Sequence, residues 1–501
     1  MWTINVPFSW ASVPYILLLS FFSIFYFYFK SKNSKTNKFP PGPTPLPLIG
    51  NLHLLNMKRP DFSLMRLSDK YGTVYTFHMG MQKVVVLTGY DTVKDALINH
   101  AEEFGNRGHL PIFENANNDH GIIFANGESW KQMRRFAIST LKELGMGKKS
   151  IEHRILEESI ALIKVFESFK GQPFESTLIM NSSLANVICS IVFGHRFEYD
   201  DTKFIQFLNI INDSVKLSGS LIVKLCNAFP CLGFLPGALR QMSKNREDFC
   251  REVKTILAEC KSTLNPSDIR SFTDAFLVKQ KNERAKNEFT YFHDENLVYS
   301  TSNLFGAGTE TTSTTLRWGF LLMARYPEIQ SKVQNEIDSV IGPVRPPTVE
   351  DRKKMPYCNA VIHEIQRYGN IVPLNILHET SKDTHFKGYF IPKGTQIIPL
   401  LTSVLWERAQ WTTPDLFNPS HFLSDEGQFV KQEAFMPFSA GRRACLGENL
   451  AKMELFLFFV VLLQKFTFCP PPGVTEKKLD LEPRLGVTSS PKPLLLCAIP
   501  R

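Results

Sequence analysis

Phe438-Ser439-Ala440-Gly441-Arg442-Arg443-Ala444-Cys445-Leu446-Gly447 sets one cysteine between glycines and arginines, just ahead of an apolar run at helical spacing, Leu450, Met453, Phe456 and Leu457. Most free cysteines are small buried hydrophobes. A thiol serves as an anionic metal ligand only where its surroundings stabilise the thiolate. Gly441 and Gly447 permit positive φ and close backbone approach, so amide N–H groups can point at the sulfur. The helix start that follows puts Cys445 at the favourable end of a helix dipole. Arg443, two residues from the sulfur, stands where it can pair with a carboxylate of a bound ligand.

The rest of the chain suits a large helical unit around such a site. No low-complexity linker divides the 501 residues after residue 51, and no internal repeat is present. Hydrophobic residues make up 43% and charged residues 21%, a globular balance, and 41 phenylalanines imply a large apolar core or ligand cavity. The net charge of +9 is spread without a Lys/Arg run, which argues against a nucleic-acid partner.

Pro7 to Phe29 carries no charge, and Tyr15 to Phe29 is almost wholly apolar. A bilayer core needs about twenty such residues, so residues 1–29 read as a membrane anchor. A cleaved signal peptide would end in a small-x-small site, whereas this segment ends Phe-Tyr-Phe-Tyr-Phe. Lys30, Lys32, Lys35 and Lys38 follow it and place the remaining chain on the cytoplasmic side. In that compartment the nine cysteines are not expected to form a disulfide framework. Residues 30–51 form a basic, Pro-rich hinge, in which the prolines of Phe39 to Asn51 predict a stiff extended spacer. Residues 52–501 form the one large domain that carries the Cys445 loop.

Within that domain, Asp61–Tyr71 reads as a helix, Val74–Met79 with Lys83–Leu87 as a hairpin, and Tyr90–Asn99 and Glu128–Leu141 as helices. Residues 105–126 read as a long loop, 150–338 as mostly helical, and residues 385–399 as short strands. The fold class is mainly α with small β-sheets.

Leu304-Phe305-Gly306-Ala307-Gly308-Thr309-Glu310-Thr311-Thr312 interrupts an apolar helical pattern. Two glycines there cost roughly 1 kcal/mol each against Ala, and the threonines add to that. Such local conflict is expected where function overrides propensity. The glycines would leave a groove for a diatomic molecule, beside hydroxyls and a carboxylate able to relay protons. A helical Thr more often bonds back to the preceding turn.

The pattern Phe-x-x-Gly-x-Arg-x-Cys-x-Gly resembles the haem-thiolate loop of the cytochrome P-450 monooxygenases. In order, the anchor, the Pro-rich hinge, Trp130-x-x-x-Arg134, Ala307-Gly308-Thr309-Glu310-Thr311, Glu364-x-x-Arg367 and the Cys445 loop all resemble that family, nearest to its vertebrate microsomal family 2, fish members included. The resemblance implies the cytochrome P-450 fold with an N-terminal transmembrane helix. It also implies haem b, with Cys445 as the axial iron ligand and O₂ as co-substrate. Thr311 and Glu310 would handle the protons of oxygen activation. Trp130, Arg134, Arg443, Arg107 and His378 would meet the haem propionates, and Phe438, Gly441, Gly447 and Ala307 would pack on the ring. Glu364 and Arg367 would form a buried structural pair, joined by His421, where many relatives carry Arg.

The resemblance further points to Ile112, Phe113, Ile123, Phe124, Leu304, Leu374, Ile376 and Val487 as walls of an apolar substrate chamber. Substrates would be lipophilic: fatty acids, steroids or xenobiotics. No Gly-rich dinucleotide fingerprint follows a strand, so electrons come from a partner. NADPH–cytochrome P-450 reductase and cytochrome b5 are the implied donors, and Lys131, Arg135 and Arg442 could steer their docking. The implied location is the endoplasmic reticulum membrane, single-pass. Two rivals stand beside this reading. A haem-thiolate peroxide isomerase or dehydratase would have no need of the Glu310–Thr311 pair. A membrane haem protein that binds lipids without turnover would oxidise nothing when supplied with reductase and NADPH.

Overall fold

A computed structural model describes residues 39–108, 119–229, 237–286 and 289–501, together with Ser20 and Ser23. Helices dominate. Six of them carry the argument: α1 (Gly127–Glu143), α2 (Lys149–Ser168), α3 (Thr177–Val192), α4 (Asp294–Arg325), α5 (Pro356–Gly369) and α6 (Glu448–Lys465). Helix α4 spans 32 residues. The His293 ring accepts from the Asn296 N–H, and Asp294 and Glu295 in the first turn suit the dipole. From Thr312 to Ala324 every residue of α4 is buried, as is α6 from Met453 to Gln464. Helices apolar round most of their circumference belong in a core, and these two cross its centre against α3 and α2.

The strands are short and hold the site's margins. They are β1 (Val74–Met79), β2 (Gln82–Leu87), β3 (Asn106–Arg107), β4 (Phe174–Glu175), β5 (His378–Glu379), β6 (Thr384–Phe386), β7 (Tyr389–Ile391), β8 (Gln396–Pro399), β9 (Phe466–Cys469), β10 (Pro483–Leu485), β11 (Ser489–Pro491) and β12 (Leu495–Pro500). One sheet runs β1-β2-β8-β5-β3, parallel only where β2 meets β8. A second runs β4-β12-β9, antiparallel throughout.

Expected elements reappear with shifted ends. The first helix runs Pro60–Tyr71 and the hairpin pairs Val74 with Leu87. The segment from Tyr90 changes from α-helix to a π-turn at Asp95–Asn99. Within the long loop, Asn106–Arg107 pairs with β5, which fixes Arg107 in a sheet. The Pro-rich segment differs most from a free spacer. Its Pro40 and Pro41 carbonyls accept from the Thr76 hydroxyl and N–H, both at 2.7 Å. Asn51 reaches back to the Pro43 and Thr44 carbonyls. Proline removes donors but leaves carbonyls, and here those carbonyls strap the segment to β1. The predicted anchor lies outside the described residues apart from Ser20 and Ser23. Among the described residues no helix is long and apolar enough to cross a membrane.

Candidate functional site

Cys445 lies between a 3-10 turn, Gly441–Arg443, and the start of α6. Its N–H donates to the Phe438 carbonyl at 2.9 Å and closes the loop. Gly441 has φ +71, and a Cβ there would collide with the Leu97 carbonyl. Only glycine fits. Gly447 differs from expectation: its φ is −89 and a Cβ would meet nothing, so its use is its amide rather than left-handed freedom. Burial raises the Cys445 thiol, while the Gly447 N–H on the sulfur and the Arg134 charge lower it against Glu448. Cys445 is exposed, and it opens onto a cavity of about 260 Å³.

Three arginines surround that cavity. Arg107 donates to the Ile123 and Ile376 carbonyls at 3.2 and 3.1 Å. Arg134 donates to the Ala444 carbonyl at 2.6 Å, beside Cys445. Arg443 donates to Gly105 and Ala125 carbonyls, both at 2.8 Å, and lies 3.7 Å over the Trp130 ring. Burial and the neighbouring arginines push Arg443 down to about 8, and burial with Arg134 pushes Arg107 down to about 9. No carboxylate among the described residues offsets the three. The Arg443 Nη1 and Trp130 Nε1 donors are buried without partners.

A buried cluster of cations with orphaned donors is stable only if something anionic joins it. A flat ligand bearing two carboxylates and an open metal position facing Cys445 meets that demand, so these residues fit haem. His378 contributes differently. Its Nδ1 donates to the Phe104 carbonyl at 2.6 Å, burial holds the ring neutral, and the partnerless Nε2 presents a lone pair. It offers a carboxylate no donor until protonated.

Opposite Cys445, α4 brings Leu304, Ala307, Gly308 and Thr311 into the wall. The Thr311 hydroxyl donates to the Ala307 carbonyl at 2.7 Å, the local back-bond typical of helical threonine. Glu310, one residue away, faces elsewhere: it accepts from Thr314 and Thr488 hydroxyls at 3.0 and 3.3 Å. Burial raises its pKa, against the pull of Arg317. The two glycines serve unequal ends. Gly308 gives room to Ile188 of α3, whose side chain a Cβ would strike, and a Cβ on Gly306 would meet nothing.

Ile123, Ile376 and Phe438 also line the cavity, while Phe124 is half-buried outside its wall. Leu374 does not reach it. Asn375, at φ +58, turns the chain there, and Leu374 packs against the core cluster that contains Leu64 and Tyr75. Val487 is 49% exposed in the turn joining β10 to β11, with its N–H on Ser218. Ile112 and Phe113 lie outside the described residues.

Behind the cysteine loop, Glu364 and Arg367 form a bidentate pair with both contacts at 2.7 Å and no exposure. Arg367 also binds the Leu405, Pro414 and Leu416 carbonyls. The Thr413 N–H donates to His421 Nε2, so the His421 proton sits on Nδ1, facing Glu364 at 3.2 Å.

Three polar residues of the site lay outside the sequence reading. Asn126 precedes α1 at the capping position, yet its side chain caps nothing there. Its oxygen accepts from the Arg107 N–H and Arg443 Nη2 at 2.8 and 2.9 Å, which locks the two arginines together. Asn303 accepts from the Ile122 and Ile123 N–H groups and holds that loop on α4. Glu454 of α6 lines the cavity and accepts from the Thr312 hydroxyl. An Asn at a helix start that bonds elsewhere is a signal only structure reveals.

Comparison with known proteins agrees with this geometry. The family model for cytochrome P450 matches residues 40–498. Cytochrome P450 2K1 of Oncorhynchus mykiss is 53% identical over 472 residues, 94% of each chain. Cytochrome P450 2K6 of Danio rerio is 51% identical over 457 residues, 91% of this chain and 90% of its own. Cytochrome P450 2C23 of Rattus norvegicus is 44% identical over 493 residues, 98% of each chain.

Proposed function

This chain belongs to the cytochrome P450 family and is a P450 monooxygenase, and from that premise we propose that Cys445 binds the iron of haem b while Arg107, Arg134, Arg443 and Trp130 hold its two carboxylates. The observation that carries the proposal is one juxtaposition: the Cys445 thiol and three carboxylate-free arginines open onto the same cavity. Haem b bound there supplies oxygen activation: with two electrons and two protons, one atom of O₂ enters a substrate C–H or C=C bond and the other leaves as water.

The chain's own residues set the conditions. The Gly447 amide and the Arg134 charge favour the Cys445 thiolate. Ile123, Leu304, Ala307 and Ile376 give the chamber an apolar wall that selects a lipophilic substrate and excludes water. Thr311 holds a proton on Oγ1 at that wall. By breaking its bond to the Ala307 carbonyl it can donate into the cavity. Glu310, held protonatable by burial, would have to turn from its Thr314 and Thr488 partners to recharge Thr311.

Electrons would come from an NADPH-dependent reductase, with cytochrome b5 as a second donor. The outer side of Trp130 and Arg134 is a groove completed by Lys131, Arg135, Lys142 and Arg442, whose charge suits an acidic partner. Residues 7–29 would anchor the protein in the endoplasmic reticulum membrane with the catalytic domain in the cytoplasm. The deciding test is the ferrous–CO spectrum of the wild type and of Cys445→Ser. The wild type should show the red-shifted thiolate Soret band and the variant should lose it. A wild type without that band would remove the assignment of Cys445.

A further inference from the structure

Strand β12 sets Cys497 directly opposite Cys469 of β9. No other two cysteines are strand partners among the described residues. We propose that Cys469 and Cys497 form a redox-responsive dithiol, a modification site that closes to a disulfide with hydrogen peroxide as oxidant. The inference stands on this sheet alone and does not depend on the reading of the cavity.

The backbone register gives the spacing. Phe468 turns both of its backbone groups away from β12: its N–H donates to Gln330 Oε1 at 2.8 Å and its carbonyl accepts from Gln330 Nε2 at 2.9 Å. At the other end, the Arg501 N–H donates to the Lys465 carbonyl at 2.9 Å. Antiparallel pairs alternate between bonded and non-bonded, which makes Cys469–Cys497 a hydrogen-bonded pair with Cα atoms about 5.5 Å apart. That separation lies inside the disulfide range of roughly 4.4–6.8 Å. Opposed residues share a face of the sheet, so the two thiols stand on the same side as direct neighbours.

Access is unequal. Cys469 is half-buried at the strand end, before Pro470-Pro471-Pro472, whereas Cys497 is 3% exposed. Peroxide therefore meets Cys469 first. One peroxide oxygen transfers to that sulfur, giving the sulfenic acid and one water. The Cys497 sulfur then displaces the hydroxyl as a second water and forms the S–S bond. Two thiols are oxidised and one peroxide is reduced to two waters. Burial raises both thiols, and Glu476 raises Cys469 further, so reaction with peroxide proceeds through a small thiolate fraction.

Closure would tie the base of the segment that carries β10 and β11. Within it the Ser489 N–H donates to the Ile371 carbonyl, the Ser489 carbonyl accepts from Trp318, and the Thr488 hydroxyl donates to Glu310. The bond would thus fix the hairpin that supplies Glu310 with one of its partners.

The test uses the full-length haem-loaded protein, exposed to hydrogen peroxide and, separately, to oxidised glutathione. Remaining thiols are alkylated and the digest is mapped by mass. The expected result is a peptide pair joined through Cys469 and Cys497, two hydrogens lighter than the reduced pair and released by dithiothreitol. Cys469→Ser and Cys497→Ser should each abolish it. Because the wild-type digest decides the matter, a poorly folding variant does not blunt the test. Recovery of both cysteines in alkylated form, separate sulfinic acids at the two positions, or a link from either to another cysteine would overturn the proposal.

Discussion

Thr312 of α4 donates its hydroxyl to Glu454 of α6 at 3.2 Å, while the second carboxyl oxygen, Oε1, is buried with no partner. Burial pushes Glu454 up to about 8 from an ordinary value of 4.5. The native state therefore binds a proton that the unfolded chain releases. Its stabilising contribution is full below pH 4.5 and is lost as pH rises through about 8. Across that window the protein should lose on the order of a few kcal/mol. Glu454→Gln keeps the bond from Thr312 and cannot ionise, so its urea midpoint should vary less with pH over the same range. An equal slope in wild type and variant would count against this role.

The Glu364–Arg367 pair has no exposure and several backbone carbonyls depend on it. Removing one member strands a buried charge, which costs roughly 3–5 kcal/mol. Arg367→Ala and Glu364→Gln should both lower the thermal midpoint sharply and reduce the yield of folded protein. His421→Ala removes one hydrogen-bond partner of Glu364 and should cost about 1–2 kcal/mol.

Arg443 lies over Trp130 and spends three hydrogen bonds on Gly105, Ala125 and Asn126. Lysine cannot reproduce that fork or the stacking. Arg443→Lys should speed haem loss to an acceptor apoprotein by about 10- to 100-fold, the equivalent of one charge-assisted hydrogen bond. Trp130→Phe keeps an aromatic face beneath Arg443 but loses the pyrrole ring with its orphaned Nε1 donor, so its effect should be smaller.

Two glycines flank Cys445 and should respond oppositely to a methyl group. Gly441→Ala places a Cβ against the Leu97 carbonyl at φ +71, so the loop must move. The left-handed conformation alone costs about 1–2 kcal/mol, and the collision adds to it. Gly447→Ala, at φ −89 with no neighbour, should leave the unfolding midpoint within about 0.5 kcal/mol of wild type. Denaturant titration of both variants checks the contrast.

Thr311→Ala should leave α4 helical, since the lost hydroxyl bonds only to its own helix at Ala307. Haem binding should persist, while electrons pass to hydrogen peroxide in place of product. Thr311→Ser should restore coupling. Peroxide measured per NADPH consumed distinguishes the two.

Features set by short spacing were legible in the chain. Trp130 and Arg134 share a helix turn, as do Glu364 and Arg367, and Cys445 directly precedes α6, so local geometry carries each of them. Asn126, Asn303 and Glu454 escaped notice because their partners stand far along the chain, Arg443 being 317 residues from Asn126. The substrate wall was partly legible: Ile123 and Ile376 line the cavity, but Leu374 two residues before Ile376 does not, because Asn375 turns the backbone between them. The Pro-rich segment read as a spacer because prolines lack donors, and their carbonyls still found Thr76.

That strap has a mechanical consequence. Were residues 7–29 to lie in a bilayer, as proposed, only residues 30–39 would separate them from Pro40, which is fastened to β1. Ten extended residues reach at most about 35 Å. Such a tether would be shorter than a domain of this size is wide, so a body held by it would tilt against the lipid and not roll over. On that reading, the face such a tether turned to the membrane would be the one open to lipophilic substrates.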